Sequence, residues 1–347
     1  MDKKRATAIA LTYVGAVVGA GFSSGQEIWR FFARHQGRGV FALLVVALFF
    51  VVLAPLILLY AKNNDIDNYQ HFFYKYLPRP LAILFDFIYS IFLLGSVSVM
   101  LAGAGTIFRD LLGITYLLGV SITIVFILAT LYLSRDGVIA VNSILIPILL
   151  TLTIYTILRY LIMIKAPVGD FLISPFQTNF VWLKDSILYG SYNMIMAIAV
   201  MVGITYKEKK ENIVLGGILG GFLLVLLCIL IYIALISSFY ADPQEEIPLL
   251  FIASRVGSLI HIFYIITLYF AMLTTAIANY YAFTKRLIVL VKIKYEYALL
   301  LSIIFILPLV PSGFSALVDK LYPIFGYLGI FIILVYFCIK FWQKKLK

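Results

Sequence analysis

From Ala6 to Trp342 the chain is a succession of charge-poor apolar stretches, each of about 20 residues or more and so able to cross a bilayer as a helix. With charges, glycine and proline as punctuation, ten spans are expected at 6–35, 39–61, 80–108, 114–133, 138–164, 182–205, 212–240, 258–286, 295–311 and 314–342. The expected fold class is therefore an all-α polytopic membrane protein. The longest polar connections, 62–79, 165–181 and 241–257, are too short for a separate soluble domain. The last begins Asp242-Pro243-Gln244-Glu245-Glu246 and turns apolar from Ile247 to Ala253, which reads as a short outer helical lid or as an ordinary amphipathic loop.

Composition says the same. Of 347 residues 63% are hydrophobic and 12% charged, where a soluble domain carries about 25% charged residues to dress its surface. Most of the exterior must face lipid. A net charge of +11 raises the thought of nucleic acid, but the basic residues gather in short loops between apolar spans, as topology signals do. An even number of spans puts both termini on one side, and the lysine and arginine bias puts that side in the cytoplasm. The start Met1-Asp2-Lys3-Lys4-Arg5 resembles a signal peptide; the continuing pattern from Gln26 to His35 argues for a first span with a basic inside anchor. Cys228 and Cys338 each lie within an apolar span and read as buried small hydrophobes, without a disulfide framework or metal motif.

The two halves, 6–164 and 182–342, are nearly equal and hold five spans each. An odd count inverts the second half relative to the first, so 1–164 and 165–347 are expected to be inverted repeats with a midplane site where the first helix of each half breaks. Span 1 supports a break: Gly15, Gly19, Gly21 and Gly25, with Ser23 and Ser24, crowd one stretch, and each interior glycine costs a helix about 1 kcal/mol relative to alanine. Free peptide groups at that depth must line a cavity or a ligand. Close helix packing is the plainer use of such glycines. Span 6 carries Tyr189-Gly190-Ser191-Tyr192-Asn193 at the equivalent place. Span 8 carries Thr274 and Thr275, hydroxyls that either bond back to the preceding turn or help form an oxygen cage for a small hard cation.

These segments resemble the amino acid–polyamine–organocation superfamily, with its five-plus-five LeuT fold and discontinuous helices 1 and 6. The glycine segment followed by Ser24-Gly25-Gln26-Glu27 is most similar to the bacterial YkvI-like membrane proteins. The resemblance implies a sodium ion on the carbonyls of Gly15, Val18 and Ala271 and the hydroxyls of Thr274 and Thr275. It implies a substrate around Ala16, Gly19, Ala20, Gly21, Ser23, Ser24, Tyr189, Gly190, Ser191, Tyr192 and Asn193, its carboxylate on helix-end N–H groups. The extra helices of the neurotransmitter-transporter branch are absent, so substrate identity does not carry over. The implied protein is a sodium-coupled symporter of a small amino acid or organic amine in a bacterial cell membrane, needing no cofactor, its partners the bilayer, the solute and Na⁺.

Glu27, just beyond the break, could meet a substrate ammonium, carry a coupling proton, or pair with Arg30 or Arg34. Its proton role is the main rival to sodium; a channel is another. Asp86 is expected to snorkel or cap a partner near the start of span 3. Asn142 and Pro147 read as packing and a kink, Asn279 as an organiser of the ion site or a helix bridge, and Gly216, Gly217, Gly220 and Gly221 as packing faces. Gly21-Phe22-Ser23-Ser24-Gly25 formally matches a hydrolase GxSxG, which works only on a strand-to-helix turn with a histidine in reach. No strand pattern surrounds it, and His35, His71 and His261 all sit near span ends.

Overall fold

The computed structural model describes residues 2–66, 78–133, 137–165, 180–238 and 245–345. Every regular element there is helical: α1 (Lys3–Val17), α2 (Ala20–Ser23), α3 (Gln26–Phe31), a 3₁₀ turn (Ala33–Arg38), α4 (Gly39–Ala47), a π segment (Leu48–Leu53), α5 (Ala54–Asn63), α6 (Arg79–Leu112), α7 (Tyr116–Leu133), α8 (Gly137–Ile164), α9 (Val181–Thr205), α10 (Lys210–Ser238), α11 (Pro248–Val256), α12 (Ser258–Val291), α13 (Tyr295–Ile306) and α14 (Phe314–Lys345). Seven described helices are long and apolar enough to cross a membrane. Large side chains such as Leu44, Leu117, Val125, Phe222, Leu259 and Ile304 are exposed over the outside of the bundle, far more apolar surface than a water-soluble monomer presents. The chain is an all-helical polytopic membrane protein.

Glycines set how the helices lie. On α10, Gly216 faces the Ala6 carbonyl and Ile9, and Gly220 faces Ala10 and Tyr13, so α10 runs parallel to α1. Its other face places Gly217 on Pro55 and Gly221 on the Phe50 carbonyl, antiparallel to the α4–α5 rod. The packing role expected of these four glycines is what the structure shows. Gly326 and Gly329 on α14 lie against the backbone of Leu188 and Ser191 on α9, so those two helices run parallel in close contact. α6 is antiparallel to α12, through Asp86 with Arg286, Ser96 with Asn279 and Gly103 with Met272. Asp86 thus finds Arg286 as its partner, and Asn279 bridges two helices by donating to Ser96 Oγ at 2.8 Å.

Taken by expected halves, the packing is reciprocal. α1 lies on α10 while α9 lies on α4–α5; α6 and α12 pair with each other; α12 contacts α8 as α6 contacts α14; and α7 and α13 each flank the third helix of their own half. The reciprocity is incomplete, most plainly at the first helix of each half. α9 and α14 touch along their length, whereas the first span meets α8 more slightly, through α2 and where Gly15 faces Ile146.

Two sequence expectations need correction, and one alternative left open for Glu27 is removed. Helix 6 is not discontinuous: α9 is one unbroken helix from Val181 to Thr205, through Tyr189–Asn193. Its polar side chains turn onto their own helix, Ser191 Oγ donating to the Ile187 carbonyl at 2.7 Å and Asn193 Nδ2 to the Tyr189 carbonyl at 3.0 Å. Gly190 is there because the Phe49 ring lies where a side chain would stand, its Cγ 2.5 Å from an ideal Cβ. Cys338 is exposed, unlike Cys228, because its stretch of α14 lies on the outside of the bundle. Glu27, finally, pairs with neither arginine, for reasons of geometry given below. The Asn142 side chain, His71 and Asp242–Gln244 fall outside the described residues.

Candidate functional site

The first span is interrupted where its glycines crowd. α1 ends at Val17; Val18 (φ −78°, ψ 90°) and Gly19 (φ −103°, ψ −170°) are extended; α2 lasts four residues; and Gly25 at φ +81° turns the chain into α3. The left-handed conformation at Gly25 is one that side chains resist, and a Cβ there would also strike Leu249 Cγ at 2.8 Å. Val18 N bonds to the Val14 carbonyl, Gly19 N to Val17, Ser23 N to Gly19 and Ser24 N to Ala20. Left without a backbone partner among the described residues are the N–H groups of Ala20, Gly21 and Phe22 and the carbonyls of Gly15, Ala16 and Val18. A Cβ on Gly19 would meet nothing within 4 Å, so space adjoins these bare groups.

Beyond Gly25 the chain is clamped. Tyr264 on α12 donates its hydroxyl to the Ser23 carbonyl at 2.7 Å and contacts Thr153 on α8 at 3.0 Å. The Ser24 carbonyl accepts from Leu249 N of α11 at 3.0 Å, and Ser24 Oγ donates to the Gly21 carbonyl at 2.6 Å. The helix expected between Ile247 and Ala253 exists as α11, and it is stapled directly to the interrupted span. At its start, Glu246 accepts from Thr106 Oγ1 (3.0 Å), Arg109 (3.3 Å) and Phe314 N (2.9 Å). With Ser24 bonded to Gly21 and both serines in a helical setting, the GxSxG match has none of the geometry of a nucleophile elbow.

Glu27 is 5% exposed. Its carboxylate accepts from the Tyr192 hydroxyl on α9, is hydrogen-bonded to Tyr322 on α14, and lies directly over Gly21, where a Cβ would fall 2.0 Å from Oε1. The two phenols belong to an aromatic cluster, the Tyr192 ring lying 5.4 Å from Tyr189, 5.2 Å from Tyr322 and 5.9 Å from Phe31, with Phe325 behind Tyr322 at 6.1 Å.

The arginines a turn away have another partner. Asp185, 1% exposed near the start of α9, holds Arg30 at 3.0 Å, Arg34 at 2.8 Å and His35 Nε2 at 3.0 Å through one oxygen. Arg30 also reaches Asp319 on α14 at 2.8 Å. One cluster therefore ties the end of the first span to α9 and α14. Sequence reading named the arginines but missed both aspartates. The signal was available, since each is a carboxylate inside an expected span.

Of the residues implied for substrate, the structure gathers Gly21, Tyr189 and Tyr192 about Glu27, holds Ser23 and Ser24 in the clamp to α12 and α11, and leaves Ala16, Gly19 and Ala20 at the break. Gly190, Ser191 and Asn193 are engaged within α9 and its packing, although Asn193 Oδ1 is buried without a partner. The residues implied for sodium lie on different helices. α1, with Gly15, packs mainly on α10 and α9, while the segment lying on α12 is α2. Thr274 Oγ1 is directed at the Phe270 and Ala271 carbonyls of its own helix, at 2.9 and 3.2 Å. Thr275 is half-buried, as is Gly15, and Val18 is buried.

No family model matches this chain. It is similar to the uncharacterized membrane protein YkvI of Bacillus subtilis (strain 168), 27% identical over 346 residues, which cover 98% of this chain and 97% of that one. It is also similar to the uncharacterized protein YyaD of the same organism, 23% identical over 325 residues, 93% of each. Among solved structures, a manganese transporter of Eremococcus coleocola crystallised with an aromatic bis-isothiourea substituted compound is 16% identical, with a TM-score of 0.44, over 99% of this chain and 72% of that one.

Proposed function

We propose that this chain is a secondary transporter that carries a small amino acid or related organic amine across a bacterial cell membrane by alternating access. The observation that carries the reading is the interruption at Val18–Gly19, which leaves peptide N–H and carbonyl groups bare inside a membrane bundle. Lipid does not tolerate such groups, and they persist where they line a cavity or grip a solute.

Two further features support the reading. Reciprocal packing is what two inverted five-helix repeats, 1–164 and 165–347, produce in a ten-span LeuT-like plan. The unequal contact, long between α9 and α14 and slight between the first span and α8, is what one closed and one open face look like in such a pair. With a cytoplasmic N-terminus, the Asp185 cluster and α11 close the outer face. Solute then reaches the break from the side of Ala16 and Gly19, both half-buried, while Ala20–Trp29 are buried.

Coupling to sodium follows if α1 swings onto α12, so that Gly15 and Val18 carbonyls join Ala271, Thr274 and Thr275; the ion then binds one state better than the other, which is all that coupling requires. A proton on Glu27 is the second reading, favoured because no cation among the described residues pairs with that carboxylate. Uptake of amino acids and amines into vesicles under a sodium gradient, or under a pH gradient without sodium, separates the two. Thr275→Ala abolishes sodium-dependent uptake if the ion site is as described, and wild-type sodium dependence in that variant refutes it. Single-channel currents in place of saturable uptake would identify a channel.

A further inference from the structure

Resting on that transport reading, we propose that the Glu27 carboxylate is a single seat occupied in turn by a proton and by a small organic monocation, so that binding one expels the other. Three observations lead there.

The first is charge. Glu27 is buried, and the cations nearest in sequence are held elsewhere: Arg30 by Asp185 and Asp319, Arg34 by Asp185. The titratable groups facing it are neutral ones, Tyr189 and Tyr192 from α9, Tyr322 from α14 and, behind Tyr189, Cys228 from α10. Two phenol hydroxyls orient the carboxylate without neutralising it. A lone negative charge inside a membrane bundle is costly, so the oxygens require a positive partner, and the described residues supply none.

The second is shape. Gly21 has no side chain, which lets the Glu27 carboxylate and the Tyr322 hydroxyl lie against the interrupted backbone, and two residues away Gly19 opens onto unfilled space. The phenols that hold the carboxylate belong to an aromatic cluster, with Phe31, Tyr189 and Tyr322 centroids 5.2–5.9 Å from the Tyr192 ring. An anion among aromatic faces is a recognition surface for an ammonium, primary or quaternary.

The third is valence. Asp185 and Asp319, the carboxylates that meet the arginines following Glu27, are engaged by them. No group of three acidic, histidine or cysteine side chains among the described residues could hold a metal ion. One unpaired carboxylate matches one positive charge. Because proton and ammonium need the same oxygens, their occupancies exclude each other, and a carrier built on this seat exchanges protons for cations.

The test uses the full chain purified in detergent, with tetramethylammonium, whose charge does not titrate, and propylammonium as probes. Calorimetry measures binding and a pH indicator in weak buffer measures protons. Binding is expected to release up to one proton per cation, and apparent affinity should rise up to about tenfold per pH unit while Glu27 is protonated, then level off. Glu27→Gln should lose both binding and release; Glu27→Asp should keep both at altered affinity, which separates loss of the seat from loss of the fold. Binding without proton release at every pH, undiminished binding in Glu27→Gln, or no binding of either probe overturns the proposal. None of those results touches solute uptake by vesicles, on which the transport reading stands; intact exchange at Glu27 with no uptake sinks the transport reading alone.

Discussion

The Asp185 cluster allows a sharp test, because two aspartates hold the same arginine from different surroundings. Asp185 is 1% exposed and contacts Arg30, Arg34 and His35, whereas the Asp319 side chain is 48% exposed and contacts Arg30. Replacing Asp185 by asparagine removes the central charge and leaves Arg30, 13% exposed, dependent on Asp319. Breaking a buried pair by removing one member costs about 3–5 kcal/mol; with Arg34 one-third exposed and Arg30 keeping a partner, the lower end, about 3 kcal/mol, is expected for Asp185→Asn. Asp319→Asn, on the exposed side, should cost about 1 kcal/mol or less.

Since this cluster joins the first span to α9 and α14, the energy appears in one of two places. The folded state loses it outright, seen as a lower midpoint in chemical unfolding, or the closed arrangement loses it relative to an open one. In the second case about 3 kcal/mol is more than a hundredfold in the open-to-closed ratio. Cysteine placed at Ser23 and titrated with a membrane-impermeant thiol reagent reports the opening. Unchanged unfolding together with unchanged thiol reactivity in Asp185→Asn would refute the assignment of Asp185 as the post that closes this face. Equal effects of the two asparagine variants would refute the burial argument beneath it.

Other outcomes follow from the same contacts. Gly329→Ala places a methyl 2.5 Å from the Ser191 backbone, which cannot yield as a side chain end could; a loss of about 1–3 kcal/mol in unfolding is expected from the forced separation of α9 and α14. Gly257→Ala, where a Cβ meets nothing within 4 Å, is the control and should be near neutral. Glu246→Gln removes the charge that holds Arg109 and weakens the contacts to Thr106 and Phe314 N. About 1 kcal/mol of anchoring is expected to go, seen as roughly fivefold faster hydrogen exchange of amides in α11, while exchange in α9 stays unchanged.

The sequence by itself determined the elements, because a bilayer-spanning helix is specified locally: an unbroken apolar run must satisfy its own peptide groups, and only a helix does so within one segment. The apolar spans read at 80–108, 258–286 and 314–342 lie within α6, α12 and α14 for that reason. The break in the first span was legible too, since four glycines and two serines between Gly15 and Gly25 weaken a helix wherever it is placed. Span 6 misled because one glycine between polar neighbours reads the same whether it breaks a helix or admits a ring, and it was Phe49, from another helix, that decided. Likewise the fate of Glu27 depended on Arg30 and Arg34 finding Asp185, more than 150 positions away, and on Tyr192 and Tyr322 converging from two later helices. Which charges meet is a property of how helices are apposed, with energies that fall off over a few ångströms, and that apposition is set by the whole bundle rather than by any stretch of chain.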